Sequence, residues 1–151
     1  MDYRQAYGRI RPVCPACNRT HFIDPKVAVA VVIQREAEIL LIQRGAEPER
    51  GKWSFPAGFV EGGEDPARAA EREGLEETGL LISTKEILEV FFRGTPTEGA
   101  DILLVYRAEV VGGALQPGDD ATDARYFTSA TIPTLAFPST KNIIARWRQQ
   151  L

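Results

Sequence analysis

The stretch GFVEGGEDPARAAEREGLEETGL, residues 58–80, restricts the fold more than any other part of the chain. It marks both ends of a helix. Asp65 can cap, Pro66 fits the first helical position, and Thr78-Gly79 supplies a stop. Inside it, Glu73, Glu76 and Glu77 fall three and four residues apart, so their side chains share neighbouring parts of one face. Like charges at that spacing repel by about 0.2–0.5 kcal/mol per pair. A solvated helix face would carry the cluster without consequence. The glycines in front of it, Gly58, Gly62 and Gly63, let the backbone turn tightly beside the carboxylates, and that combination suits a hard divalent cation. The repulsion is tolerable where a metal neutralises it.

The other elements follow from periodicity. KVAVAVVIQREAEILLIQR reads as a strand, a turn at REAE and a second strand. WSFPAGF suggests a short strand before the glycine loop, and Glu86–Arg93, Asp101–Val110 and Ala124–Phe127 are further strand candidates. The tail STKNIIARWRQQL places Ile143, Ile144 and Trp147 at helical spacing, with Ser139 as a cap. Residues 1–25 are expected to be irregular, because Pro12, Pro15 and Pro25 discourage helix. Residues 26–151 then form one domain of α+β class, and the order strands, helix, strands, helix implies a mixed or α/β/α sandwich.

Composition narrows the partners. The chain of 151 residues carries a net charge of −3 and shows no basic run, which argues against nucleic acid as the main partner. The start MDYRQAYGRIRP has no apolar signal core, and VAVAVVI is too short to span a bilayer. Cys14 and Cys17 are too close to staple a fold, so a reduced cytoplasmic protein without a membrane partner is expected.

Residues 58–80 closely resemble the Nudix box, G-x5-E-x7-R-E-U-x-E-E-x-G-U with U a bulky apolar residue. Gly58, Glu64, Arg72, Glu73, Glu76, Glu77, Gly79 and Leu80 stand where the pattern asks. Gly74 departs from it, where an apolar side chain should pack; glycine costs about 1 kcal/mol of helix propensity relative to alanine. GKWSFPAGFVEGGE and VAVAVVI…ILLIQR also look like the family's approach to the box and its opening strands.

The resemblance implies a Nudix-type α/β/α sandwich with a mixed β-sheet, and Mg²⁺-dependent hydrolysis of a nucleoside diphosphate linked to another moiety, with Mn²⁺ able to substitute. Carried over by motif position, Glu73 and Glu77 are metal ligands, Glu76 is a ligand or lies just behind one, and the carbonyl of Ala57 or Gly58 completes the site. Glu64 and Arg72 are expected to pair and fix the loop to the helix. Arg44, Arg50 and Lys52, on the loop entering the site, are candidates for holding phosphates. The family often draws a general base from a later loop; of Asp119, Asp120 and Asp123 in GDDATDARYF the expected residue is Asp120, with Glu98, Asp101, Asp123 or a box carboxylate as substitutes. Trp53, Phe55 and Phe59 could include a base-stacking ring, although core packing is the plainer reading.

PAG at residues 56–58 and Pro96, sixteen residues after the box, look like the ADP-ribose pyrophosphatases. The expected products are then AMP and ribose 5-phosphate. Alternatives are a nucleoside triphosphate pyrophosphatase, an NADH or dinucleotide pyrophosphatase, and a non-catalytic module sensing nucleotide sugars. The aromatic, proline-rich run of NADH-specific relatives is not present. CPAC resembles half of a zinc ribbon. With His21 as an optional third ligand and no fourth, a metal-free remnant is expected in place of a zinc site. Many relatives dimerise, so a homodimer is an open option.

Overall fold

The computed structural model describes residues 1–93 and 99–151. Pro96 and Glu98, two residues singled out above, lie outside the described residues. The elements run β1 (Asp2–Ala6), β2 (Arg9–Val13), β3 (Val27–Arg35), β4 (Glu38–Arg44), β5 (Trp53–Ser54), β6 (Ala57–Phe59), α1 (Pro66–Thr78), β7 (Leu80–Phe92), β8 (Ile102–Gly113), β9 (Ala121–Thr128) and α2 (Pro138–Gln149).

β3 is the centre of a mixed sheet. It pairs parallel with β8 and antiparallel with β6, while β8 pairs antiparallel with β7 at the edge. β3 and β4 form a hairpin joined at their Gln34–Ile39 end, with Glu36 in the left-handed region at the turn (φ 53°). Past that turn the strands diverge, and β4 continues with β9 and β5.

Period-two alternation sends side chains to both faces of this sheet. Val29, Val31 and Ile33 of β3 pack with Leu40, Ile82 and Tyr106 against Ala69 and Ala70 of α1. Ala30 and Val32 point the other way, packing with Ile39, Leu41, Trp53 and Phe55 against Ile143, Ile144 and Trp147 of α2. The two cores make the α/β/α sandwich expected from the sequence. Among the described residues no helix is long and apolar enough to cross a membrane.

Three expectations change. Residues 1–25 are not irregular throughout: β1 and β2 form an antiparallel hairpin with a two-residue turn at Tyr7-Gly8, both at positive φ (50° and 76°). That twist matches a tight hairpin, and Pro12, opposite Tyr3, keeps its carbonyl paired by accepting the His21 N–H at 2.9 Å. The later strands are longer than expected, since alternation continues through the polar residues of β7. Finally, α2 begins with Pro138 after Phe137 and has no side-chain cap, so Ser139 lies within the helix instead of capping it.

Candidate active site

The box helix begins and ends as its sequence dictates. The Ala67 N–H donates to Asp65 Oδ1 at 2.9 Å, and Gly79 closes the other end in the left-handed conformation (φ 73°), its N–H bonding Leu75 O. In front of the helix, the N–H of Glu61 donates to Glu64 Oε2 at 2.9 Å and the N–H of Glu64 to Glu61 O at 3.0 Å. Gly63, at φ 80°, makes the turn between them.

Arg72 is the hub. Its Nε donates to Glu64 Oε1 at 2.8 Å and its Nη2 to Glu64 Oε2 at 3.1 Å, a two-pronged grip. Nη2 also reaches Phe59 O at 3.0 Å, while Nη1 contacts Glu73 Oε1 at 2.6 Å and Glu76 Oε2 at 3.3 Å. The guanidinium, aided by the Glu61 N–H, holds the Glu64 carboxyl down to about 2. Glu64 and Arg72 thus tie loop to helix.

Glu73 and Glu77 are buried glutamates, only 7% and 6% exposed. The Glu77 Oε2 accepts from Ala57 N–H at 2.9 Å. Burial pushes its carboxyl up to about 8 despite that bond, and the charges of Glu73 and Asp119 add to the rise. Burial likewise raises Glu73, against the opposing pull of Arg72. Glu76 is exposed.

The carboxylate oxygens of Glu73, Glu76 and Asp119 lie within 4.8 Å of one another. Twice a Mg–O distance of 2.0–2.1 Å is about 4.2 Å, so oxygens spaced this way can reach one divalent ion or a water bound to it with small side-chain adjustments. All are hard donors suited to such an ion. Once ionised, the buried carboxylates carry more negative charge than Arg72 alone balances, and the residues fit a divalent cation.

Of the acidic residues in GDDATDARYF the sequence favours Asp120, whereas the structure brings its neighbour Asp119 to the cluster. The turn carrying it docks on the C-terminal end of α1: Gln116 N–H donates to Thr78 O at 2.8 Å and Gly118 N–H to Glu77 O at 3.2 Å. A Cβ on Gly118 would lie 2.5 Å from Glu76 O, so the turn approaches as only glycine allows. Asp119 then turns through positive φ (49°), a conformation aspartate tolerates, and faces the glutamates. Asp120 is exposed and contributes its carbonyl, which accepts Gly45 N–H at 2.8 Å.

The other candidates have separate partners. Asp101 Oδ2 accepts Lys26 N–H at 2.7 Å, and Asp123 pairs with Arg125 at 2.7 Å. Arg50 and Lys52 make exposed ion pairs with Glu47 and Glu49 of their own loop and are not drawn to the cluster. Arg44 donates to Pro48 O at 2.8 Å and lies over the Phe137 ring; its charge reaches Glu77 and favours the ionised form. Trp53 and Phe55 belong to the α2-side core, whereas Phe59 is half-exposed. It lines a cleft of about 450 Å³ with Pro25, Lys26, Val60 and Glu61. In CPAC, N–H groups of Cys17 and Ala16 lower the Cys14 thiol, and both cysteines are free.

The NUDIX domain family profile matches residues 24–147. An ADP-ribose pyrophosphatase of Methanocaldococcus jannaschii is 39% identical over 130 residues, covering 84% of this chain and 77% of that protein. The 8-oxo-dGDP phosphatase NUDT18 of Mus musculus is 34% identical over 75% of this chain, which spans only 33% of the mouse protein. Among solved structures, a NUDIX hydrolase from Nitrosomonas europaea superposes with a TM-score of 0.88 at 30% identity, covering 99% of this chain and 85% of that one. This chain belongs to the Nudix hydrolase family.

Proposed function

We propose that the protein hydrolyses the pyrophosphate linkage of ADP-ribose to AMP and ribose 5-phosphate. The observation that carries the chemistry is the convergence of Glu73, Glu76 and Asp119 within 4.8 Å beside the buried Glu77. The substrate rests on the relative named ADP-ribose pyrophosphatase and on the PAG entry at Pro56–Gly58. Glu73, Glu76 and Glu77, with the carbonyl of Ala57 or Gly58, would hold Mg²⁺. Bound there, the ion supplies neutralisation of phosphate charge and a water of lowered pKa.

The chain's own groups do the rest. Arg72 holds Glu73 and Glu76 in register with the loop, so the ligand set is ordered before substrate arrives. Asp119 takes over the role expected of Asp120: its carboxylate accepts the proton of the attacking water. Arg44 remains a candidate for phosphate contact, because its charge already reaches Glu77. Two free thiols accord with a cytoplasmic setting.

The test is kcat/KM with Mg²⁺ for ADP-ribose, NADH, diadenosine polyphosphates, nucleotide sugars, nucleoside triphosphates and 8-oxo-dGDP. A preference of about tenfold, or 1.4 kcal/mol, for ADP-ribose is expected. The same preference for 8-oxo-dGDP or a triphosphate would replace this substrate with a damaged or surplus nucleotide.

A further inference from the structure

The β1–β2 hairpin and the CPAC turn form a small module that the Nudix chemistry does not use. Its charge is opposite to that of the rest. Arg4, Arg9, Arg11 and Arg19 against Asp2 give residues 1–23 a net charge of +3; with −3 for the whole chain, residues 24–151 carry −6. The sequence shows no basic run, but the hairpin register assembles one. Arg4 stands directly opposite Arg11, and Arg9 opposite Ala6, so alternation puts all three arginines on one face.

Like charges directly opposite one another on a hairpin are destabilising. Among the described residues none of the four arginines forms an ion pair with a carboxylate. Arg4 reaches the side chain of Asn18 at 2.9 Å and Arg11 the carbonyl of Ala6 at 3.2 Å, bonds that orient the guanidinium groups and leave their charge unbalanced.

Aromatic rings share this face. The Arg11 guanidinium lies 4.8 Å from the centroid of Phe22, and Phe22 contacts Tyr7 with centroids 5.5 Å apart. Tyr7 is 77% exposed and Phe22 52%. Among the described residues the β1–β2 strands pack mainly on each other, and Tyr7 and Phe22 stay exposed.

We infer that the arginine and aromatic face of the β1–β2 hairpin binds single-stranded nucleic acid, the arginines meeting phosphates and Tyr7 and Phe22 stacking on bases. Guanidinium groups beside exposed rings match the alternation of anionic phosphate and planar base along a single strand. The module's charge also suits the task. A domain of net charge −6 repels a polyanion at long range, and a +3 module attached to it supplies the attraction that steers a strand in. Pro25 and Lys26, which join the module to β3, line the cleft beside Phe59 and the box loop. The cleft beside the box loop thus begins where the module joins the domain. This inference does not depend on ADP-ribose being the substrate.

The test measures fluorescence anisotropy of a labelled 12-nucleotide single-stranded RNA with the full chain. Contact with about three phosphates gives a slope near −2 in log K against log salt, about a 20-fold loss between 50 and 200 mM. R4Q/R9Q/R11Q should weaken binding at least tenfold and flatten that slope. F22L should weaken it several-fold while leaving the slope unchanged. ADP-ribose hydrolysis should be the same in all three proteins. R4K/R9K/R11K, which keeps the charge, should retain the salt slope, and this separates loss of contact from loss of the hairpin. The inference is overturned if wild type does not bind the RNA at 50 mM salt, or if the glutamine variant binds as well as wild type. It is also overturned if phosphatidylserine vesicles are bound through these arginines and RNA is not, or if the variant only changes the oligomeric mass. Failure of ADP-ribose turnover would count against the proposed function alone.

Discussion

The carboxylate of Glu73 occupies the space that a side chain on residue 58 would need: an ideal Cβ there would lie 2.1 Å from the Glu73 carboxyl carbon. Gly58 lies on β6, paired with Val29, and Glu73 projects from α1 onto it. This contact, and not a positive φ, is what favours glycine at residue 58, since the Glu73 carboxylate must move for a side chain to fit. Gly58→Ala should displace Glu73 and lower kcat by about 10²-fold, the scale of a misplacement near 1 Å. The two cores should survive, so the thermal transition should remain cooperative. A variant with normal turnover would show that Glu73 has room elsewhere.

A second glycine behaves differently from the sequence-based expectation. On helix propensity alone, Gly74→Ala should stabilise by roughly 0.5–1 kcal/mol. The structure shows Ile82 filling the space from β7, with its Cδ1 2.5 Å from where a Cβ would sit. Overpacking a tight core costs typically 1–3 kcal/mol, so Gly74→Ala should destabilise by about 1 kcal/mol. Ile82→Val removes that methyl, at a cost of about 0.5–1.5 kcal/mol alone. The double variant should be more stable than the sum of the two changes, as read from denaturant melts. Simple additivity would refute the contact.

The base assignment separates two adjacent residues. Asp119→Asn should lower kcat at neutral pH by about 10²-fold or more, with KM little changed. Asp120→Asn should leave kcat within about twofold, because the carbonyl of Asp120, which the substitution keeps, makes its contact with Gly45. The reverse ranking would restore the role to Asp120.

Stability of the metal-free protein should depend on pH through Glu77. Its folded carboxyl lies near 8 and its unfolded one near 4.5. With the folded value raised, the native state binds the proton more tightly, so this contribution is complete below about 4.5 and is lost as pH rises toward 8. Tm in chelator should fall across that window, and Glu77→Gln should shrink the fall. Saturating Mg²⁺ should offset it by favouring the ionised native site. A chelated wild type with flat Tm from pH 5 to 8 would contradict the burial argument.

What the sequence revealed and what it hid divide by the range of the interactions. Both ends of α1 were legible because Asp65, Pro66 and Gly79 act on their own turn of helix. The two cores were legible because the runs in β3 and β4 alternate. The loop of Asp119 was legible but the choice of Asp119 over Asp120 was not, since it depends on Gln116 and Gly118 docking onto carbonyls of Thr78 and Glu77, a contact that spacing does not encode. The hairpin was obscured by Pro12, which reads as a breaker in the sequence although it keeps its place in β2 opposite Tyr3. The arginine face became visible only when the register set Arg4 against Arg11. Ile82 meeting Gly74 is likewise a contact between helix and strand that the helix sequence alone cannot predict.

The central claim is that the box carboxylates form the divalent-ion site that drives hydrolysis, and Glu77→Gln tests it most directly. The substitution keeps the volume of the side chain and removes one buried anion. Mg²⁺-dependent turnover of ADP-ribose should be lost at saturating Mg²⁺, by at least 10²-fold in kcat, while Tm in chelator stays equal to or above that of wild type. Wild-type turnover by a folded Glu77→Gln protein would contradict the account.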